Sequence, residues 1–169
     1  MTYPSKAVAN FLLDLARIEG QPVTPMMVQK LVYFAHGWNL GVKGGPLLDT
    51  HVEAWQYGPV IPVLYREFRE FADAPITRPA LDGEEPWLAM PAIPNGQDHD
   101  WVRELASWVW KRYRGYSALQ LSTMTHAPGT PWEQTVRPYL PEGCIPHGLE
   151  IPDRLIREYF HDRVATGAA

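Results

Sequence analysis

The segment from Gln29 to Phe68 constrains the fold most strongly, because it carries many aromatic residues at helical spacing on either side of a glycine-rich turn. Thr24 and Pro25 predict a helix start, since a capping hydroxyl followed by proline at the first helical position is typical of one. The apolar residues of this helix recur at steps of four, three and four along one stripe: Met27, Leu31, Phe34 and Trp38. Four residues predict its end: Gly41, Gly44, Gly45 and Pro46.

Apolar residues at helical spacing predict further helices on either side of this segment. The first begins after Ser5, whose hydroxyl can cap it, and ends at Gly20. Loose alternation from His51 to Tyr57 predicts a short strand, Gly58-Pro59 a turn, and the next helix then has Pro59 and Pro62 in its first turn.

Later helices are predicted from about Asp98, from two segments with capping-box spacing that begin at Ser117 and Thr130, and from Pro152 to about Val164. The fold class is therefore mainly α. We expect a compact single-domain bundle of about six helices, with at most a short strand or hairpin near residues 51–57.

The segment from Asp73 to Gly96 is interrupted by five prolines, so regular helix is not expected there. We interpret residues 73–97 as a Pro-rich loop or insertion within one domain that spans residues 1–169, folded over the body by Trp87 and Leu88. A flexible linker between two domains is the alternative, but the halves on either side are small for independent stability.

Composition argues against several classes of protein. The 15 basic and 19 acidic residues give a net charge of -4, whereas nucleic-acid binders usually gather an excess of basic residues on one face. The single cysteine, Cys144, excludes an intrachain disulfide. No apolar run approaches membrane-spanning length, and no export sequence begins the chain. We expect a cytoplasmic protein that binds neither nucleic acid nor membrane.

The chain carries no recognisable catalytic or cofactor-binding motif. Its six histidines show no i, i+4 pair of metal ligands, and no phosphate-binding glycine loop occurs. We therefore predict no metal, no cofactor and no enzymatic activity. His36, Glu53 and Tyr57 offer acid and base groups, but a buried hydrogen-bond network that fixes the turn is the preferred interpretation.

Seven tryptophans are more than a domain of this size can hide completely, because tryptophan is large and seldom fully buried. Tryptophan and tyrosine are also enriched among the residues that dominate binding at protein interfaces. The aromatic content therefore favours a protein-binding surface.

Several motifs, in order, closely resemble the Panacea domain family, whose members include SocA-like and GepA proteins. They are Gln29–Trp38, Pro46-Leu47, Glu53–Pro62, Leu64-Tyr65, Leu121–His126, Pro131-Trp132 and Ile151–Phe160. The resemblance covers about residues 5–160. It implies an antitoxin of a bacterial or prophage toxin–antitoxin pair that neutralises a cognate protein toxin by direct binding.

Two other functions remain as alternatives. One family member acts as an adapter that delivers its toxin to the ClpXP protease, so the ClpX machinery is a second candidate partner. A small enzyme acting through His36, Glu53 or His126 is the other. For the contact with the toxin we predict these residues: Lys30, Tyr33, His36, Glu53, Trp55, Tyr57, Gly58, Pro59 and Tyr65.

Overall fold

The computed structural model describes residues 1–83 and 90–167. This part of the chain contains seven α-helices and a two-stranded antiparallel sheet, which confirms the prediction of a mainly α fold. The elements are α1 (Ser5–Ile18), α2 (Pro25–Lys43), β1 (Glu53–Trp55), β2 (Gly58–Val60), α3 (Pro62–Phe68), α4 (Asp100–Tyr113), α5 (Ala118–His126), α6 (Pro131–Val136) and α7 (Asp153–Thr166). Short 3-10 helices cover Arg69–Phe71, Gln97–His99 and Arg137–Glu142.

Helix α2 lies at the centre of the fold. Residues 27–41 are buried on every side, and α2 packs against α1, α3, α4, α5, α7 and β2. A helix that is buried all round belongs to the interior of a globular fold. Its predicted ends are confirmed: Thr24 accepts a hydrogen bond from Met27 N, and Gly44 ends the helix in a left-handed conformation.

Helix α7 crosses α2 at two glycines. A Cβ on Gly37 would lie 2.2 Å from the ring of Phe160, and one on Gly41 would lie 2.8 Å from the backbone of Phe160. Gly41 therefore does not end α2, which contradicts the prediction from the sequence. It lies inside the helix, where the absence of a side chain lets the two backbones approach closely.

Two other local predictions were wrong. Ser5 is the first helical residue of α1 and is buried, while Pro4 occupies the N-cap position without a side-chain cap. Pro59 lies in β2 opposite Ala54, and the following helix begins at Pro62. Because β2 is an edge strand, a proline there is tolerated.

The remaining helix predictions agree with the structure in most respects. Ser117 and Gln120 form both hydrogen bonds of a capping box. Thr130 caps α6, but Glu133 accepts from Gly129 N instead of closing a second box. Residues 73–83 and 90–96 contain no helix. The expectation that Trp87 and Leu88 cover the body concerns residues outside the described ranges.

Candidate partner-binding site

The predicted short strand is the first strand of a hairpin, in which a turn and a second strand, β2, follow β1. Glu53 pairs with Val60, Ala54 with Pro59 and Trp55 with Gly58. On the other side of β1, Ala54 N donates to Leu149 O over 2.8 Å, and Ile151 N donates to Val52 O over 2.8 Å. These contacts leave β2 as the outer strand of the hairpin.

Two polar side chains of α2 satisfy the outer edge of β2. The Gln29 side chain accepts from Ile61 N at 2.9 Å and donates to Ile61 O at 3.1 Å, as a neighbouring strand would. The Lys30 Nζ donates to Tyr57 O at 2.9 Å and to Pro59 O at 3.0 Å. Because unpaired backbone groups are costly when buried, these two side chains explain how an edge strand can lie against a helix.

Helices α5 and α6 also bind the turn of the hairpin. Ser122 Oγ donates to Tyr57 O at 3.1 Å, and Trp132 Nε1 donates to Trp55 O at 2.8 Å. His126 Nε2 lies 3.2 Å from Gln56 O. We call five side chains the clamp, since together they bind backbone groups between Trp55 and Ile61: Gln29, Lys30, Ser122, His126 and Trp132.

Lys30 is the most unusual member of the clamp. Its side chain is 2% exposed, and within the described residues no carboxylate forms an ion pair with it. Burial lowers the pKa of Lys30 to about 7, because the charged ammonium loses its hydration. The two carbonyl contacts therefore hold an amine whose charge changes near neutral pH.

Gly58 allows the turn to approach the clamp closely. Its φ of +105° is a conformation that side-chain-bearing residues rarely adopt. A Cβ at this position would lie 2.8 Å from Lys30 Nζ and 2.9 Å from Thr125 Oγ1. The glycine is thus required both by the backbone conformation and by the space beneath it.

The clamped hairpin forms one wall of an open depression of about 370 Å³, which we call the hairpin groove. Its apolar lining includes Met26, Trp55, Tyr57, Val60 and Tyr65. Tyr57 is 65% exposed and Tyr65 46% exposed, and the Trp55 and Tyr65 rings pack edge to face at 4.7 Å. Large aromatic residues held at the surface in this way are well suited to bind another protein.

The structure separates the predicted contact residues into two groups. Trp55, Tyr57 and Tyr65 line the hairpin groove with exposed or half-buried side chains. Lys30 also borders the groove but is only 2% exposed, and Pro59 is buried outside the groove lining. Gly58, Tyr33 and His36 are buried as well. In this structure, direct contact with a partner is therefore open to the three aromatic residues and, through the groove, to Lys30. Gly58 and Pro59 act on the fold of the hairpin, and Glu53 is half-buried outside the groove lining.

Tyr33 and His36 belong to the interior rather than to the hairpin. The Tyr33 ring packs at 6.1 Å from that of Phe160, and burial raises the pKa of its phenol. His36 is fully buried, with Nε2 3.0 Å from Asp153 Oδ1 and Nδ1 accepting from Leu48 N at 3.4 Å. These contacts join α2 to the start of α7.

The predicted network of His36, Glu53 and Tyr57 does not form. His36 contacts Asp153, while Glu53 accepts from Trp55 Nε1 at 2.8 Å and lies 3.0 Å from His51 Nε2. Although burial pushes the pKa of Glu53 upward, the hydrogen bonds from Trp55 and His51 bring it below its usual value. The prediction failed because α2 faces this segment through Gln29 and Lys30, nearly two turns earlier than His36.

Four clamp residues were absent from the predicted contact set: Gln29, Ser122, His126 and Trp132. The motifs Gln29–Trp38, Leu121–His126 and Pro131-Trp132 had nevertheless drawn attention to this part of the sequence. Each motif contributes at least one side chain that binds the backbone of the same hairpin. Their common role was hidden because residues from 29 to 132 meet only in the folded chain.

Other kinds of site were sought in the described residues. No group of three or more His, Cys, Asp or Glu side chains in residues 1–83 and 90–167 has an arrangement that could hold a metal ion. None of the helices described is long and apolar enough to cross a membrane. Cys144 is exposed in the loop that follows α6.

Comparison with known proteins places this architecture in a family. Residues 28–133 match the family model described as antitoxin SocA-like, Panacea domain. The chain belongs to the SocA-like Panacea domain family. It is also 35% identical over 161 residues to a protein named antitoxin SocA from Caulobacter vibrioides (strain NA1000 / CB15N), with 92% of this chain and 81% of the relative covered. No solved structure gives a significant match.

The matched region contains the hairpin and all five clamp residues, from Gln29 to Trp132. Three of the Panacea motifs in this chain, Gln29–Trp38, Leu121–His126 and Pro131-Trp132, therefore contain the side chains that hold the hairpin. This coincidence explains why the motifs combine polar residues with aromatic ones: the polar groups bind backbone carbonyls, and the aromatic rings fill the core or line the groove.

Proposed function

We propose that this chain is an antitoxin that neutralises a cognate protein toxin by binding it through the hairpin groove. Membership of the Panacea domain family and the likeness to a protein named antitoxin SocA support the antitoxin role. The observation that carries the choice of site is the exposure of Tyr57, on a hairpin whose backbone is held by side chains of α2, α5 and α6, beside the exposed Tyr65 of α3.

The clamp favours tight binding because it fixes the hairpin before the partner arrives. A preorganised surface loses less conformational entropy on binding than a mobile one. The mechanism we propose is occlusion: the bound antitoxin covers the working surface of the toxin, and no covalent bond is made or broken. We also propose that residues 1–169 form one domain, since α7 packs across α2.

Trp55→Ala tests the site. If Trp55 anchors the interface, its loss should cost about 2 kcal/mol or more of binding free energy, which is roughly a 30-fold increase in Kd. The candidate toxin for this test is the product of the neighbouring reading frame, to be co-expressed and co-purified with the chain. Ile18→Ala is the matched control, because Ile18 is 75% exposed on α1 and does not line the groove.

Circular dichroism must first establish that both variants fold. An unchanged Kd for folded Trp55→Ala would remove this residue from the interface. Growth rescue in cells that lack ClpXP separates the mechanisms: rescue that persists supports occlusion, and rescue that disappears supports the adapter mechanism. Loss of rescue by a polar substitution that leaves the complex intact would instead support the enzyme alternative.

A further inference from the structure

The chemistry of the hairpin groove limits the kind of segment that can occupy it. Most of the lining is apolar or aromatic, and among the described residues that line it Lys30 is the one with a charged side chain. No Asp or Glu belongs to the described lining. An apolar wall with a buried cation behind it is complementary to an apolar segment that carries a negative charge.

The polar groups that remain free in the groove include several hydrogen-bond donors, and the exposed Gln56 amide offers both donors and an acceptor. The Gln29 amide is used by Ile61, and Trp55 Nε1 by Glu53. Within the described residues, the hydroxyls of Tyr57 and Tyr65 form no hydrogen bond. The Lys30 ammonium has three hydrogens, of which two are accounted for by Tyr57 O and Pro59 O. Free donors call for an acceptor from the partner.

The backbone of the hairpin offers few free hydrogen-bonding groups to a partner. Side chains already occupy the carbonyls of Trp55, Tyr57 and Pro59. A partner strand therefore has no free edge of β2 to extend, which argues against recognition by β-strand addition. Recognition must come from side chains that enter the groove.

We propose that the hairpin groove binds a segment of the toxin in which an Asp or Glu carboxylate is flanked by apolar side chains. The apolar side chains pack on Trp55, Tyr57 and Tyr65, and the carboxylate acts as the counter-ion of Lys30 and accepts from the tyrosine hydroxyls. This inference rests on the proposed antitoxin function for the identity of the partner, but not for the chemistry of the groove.

A carboxylate in the groove would favour the protonated form of Lys30. Because the pKa of Lys30 is lowered to about 7 in the free protein, binding should take up a proton near neutral pH. The other titratable groups that face Lys30 are Tyr57 on the hairpin, Tyr65 on α3 and His126 on α5. Affinity for a carboxylate is therefore expected to fall as the pH rises from 7 to 9.

Matched small probes test the chemistry of the groove without the toxin. The probes are 4-phenylbutyrate and its neutral amide, 4-phenylbutyramide, titrated into the full chain while the ring signals of Trp55, Tyr57 and Tyr65 are followed by NMR. We expect the acid to bind at least tenfold more tightly than the amide at pH 7. Equal affinity, or shifts confined to residues outside the groove, would overturn the inference.

The ¹³Cε signal of Lys30 provides the second measurement. The acid should raise the pKa that this signal reports, and the amide should not; a pKa unchanged by the saturating acid would count against the proposal. Lys30→Met should abolish the preference for the acid. Should that variant fail to fold, the double change Tyr57→Phe and Tyr65→Phe keeps the rings and should reduce the preference about threefold.

The two hypotheses fail separately. Growth rescue from the toxin without any preference for the acid would overturn the groove chemistry alone. A clear preference for the acid in a chain that neither rescues growth nor co-purifies with the toxin would overturn the antitoxin function alone.

Discussion

Two irregular regions of this molecule are held in place by side chains, but by different means. The hairpin is bound by the clamp, whose members come from α2, α5 and α6 and include a buried lysine that forms no ion pair within residues 1–83 and 90–167. The proline-rich segment, residues 73–83 and 90–96, is bound by one buried amide and by ion pairs near the surface. The difference separates a region built to present a surface from one that follows the body of the protein.

Asn10 carries most of the buried polar contact in the proline-rich segment. Its side chain donates to Ala80 O at 3.0 Å and to Pro91 O at 2.9 Å, and it accepts from Ala80 N at 2.7 Å. Prolines have no N–H, so this segment has fewer donors to satisfy than the hairpin. The Asn10 amide therefore satisfies three buried backbone groups of this segment, while Lys6, Glu67 and Arg103 bind other backbone groups of it nearer the surface.

Gly58→Ala should have the largest effect. The new methyl group would lie 2.8 Å from Lys30 Nζ, and the alanine would have to adopt the native φ of +105°. We expect a loss of about 3 kcal/mol or more in the free energy of unfolding, measured by urea denaturation. Gly96→Ala in the proline-rich segment is the control, because its φ is +122° and nothing lies within 4 Å of the new Cβ.

The control carries the backbone strain without the collision, so we expect it to cost about 1–2 kcal/mol. The difference between the two variants then measures how tightly the clamp closes on the turn. Equal losses would mean that the space beneath Gly58 is not a constraint.

Gln29→Ala and Asn10→Ala should both destabilise the protein, by about 2–3 kcal/mol each, because each leaves buried backbone groups without a partner. Their effects on binding should differ. Gln29→Ala loosens β2 and should weaken toxin binding by the folded protein, whereas Asn10→Ala should leave it unchanged. Isothermal titration at a temperature where both variants are folded checks this; equal weakening would show that the two regions are not independent.

Features determined by neighbouring residues were predictable from the sequence. Thr24, Pro25 and Gly44 mark the ends of α2, and Ser117 with Gln120 marks the start of α5. Each of these is decided within one helical turn, so a short stretch of sequence contains the whole cause. The mainly α fold class follows from the same local patterns repeated along the chain.

Features that depend on distant contacts were not predictable. Gly41 was wrongly assigned to a helix end. The contact that explains this glycine, with the backbone of Phe160, involves a residue far along the chain and cannot be seen in the local sequence. Lys30 was predicted to contact the toxin, and its burial was not foreseen because lysine is seldom buried; the carbonyls of Tyr57 and Pro59 explain its position. The residue types of the site were thus visible in the sequence, while their division into groove and clamp required the fold.

The pH dependence of stability should distinguish the buried charge of the hairpin from the surface charges elsewhere. The pKa of lysine in an unfolded chain is about 10.4, but burial lowers the pKa of Lys30 to about 7. Between these values the unfolded chain binds the proton and the native chain does not, so the free energy of unfolding rises with pH. The rise is at most about 1.4 kcal/mol per pH unit.

Urea denaturation from pH 7.5 to 9.0 measures this rise, below the range in which the buried tyrosines ionise. Lys30→Met should remove the rise, and Lys111→Met, at an exposed position on α4, should keep it. A flat profile in the unsubstituted protein would show that Lys30 stays charged when buried.

Arg78→Gln should have the smallest effect on stability. Its effect should depend on salt, whereas that of Gln29→Ala should not. Arg78 pairs with Glu67 at 2.6 Å and also with Glu70, and its side chain is 37% exposed. Partly exposed pairs contribute up to about 1 kcal/mol, and salt screens them. We expect a loss of that order at low salt that shrinks by about half in 1 M NaCl, with Arg66→Gln, on the exposed side of α3, as the neutral control. The loss from Gln29→Ala should not change with salt, because it comes from unsatisfied backbone groups; if it did, the hairpin too would depend on surface charge.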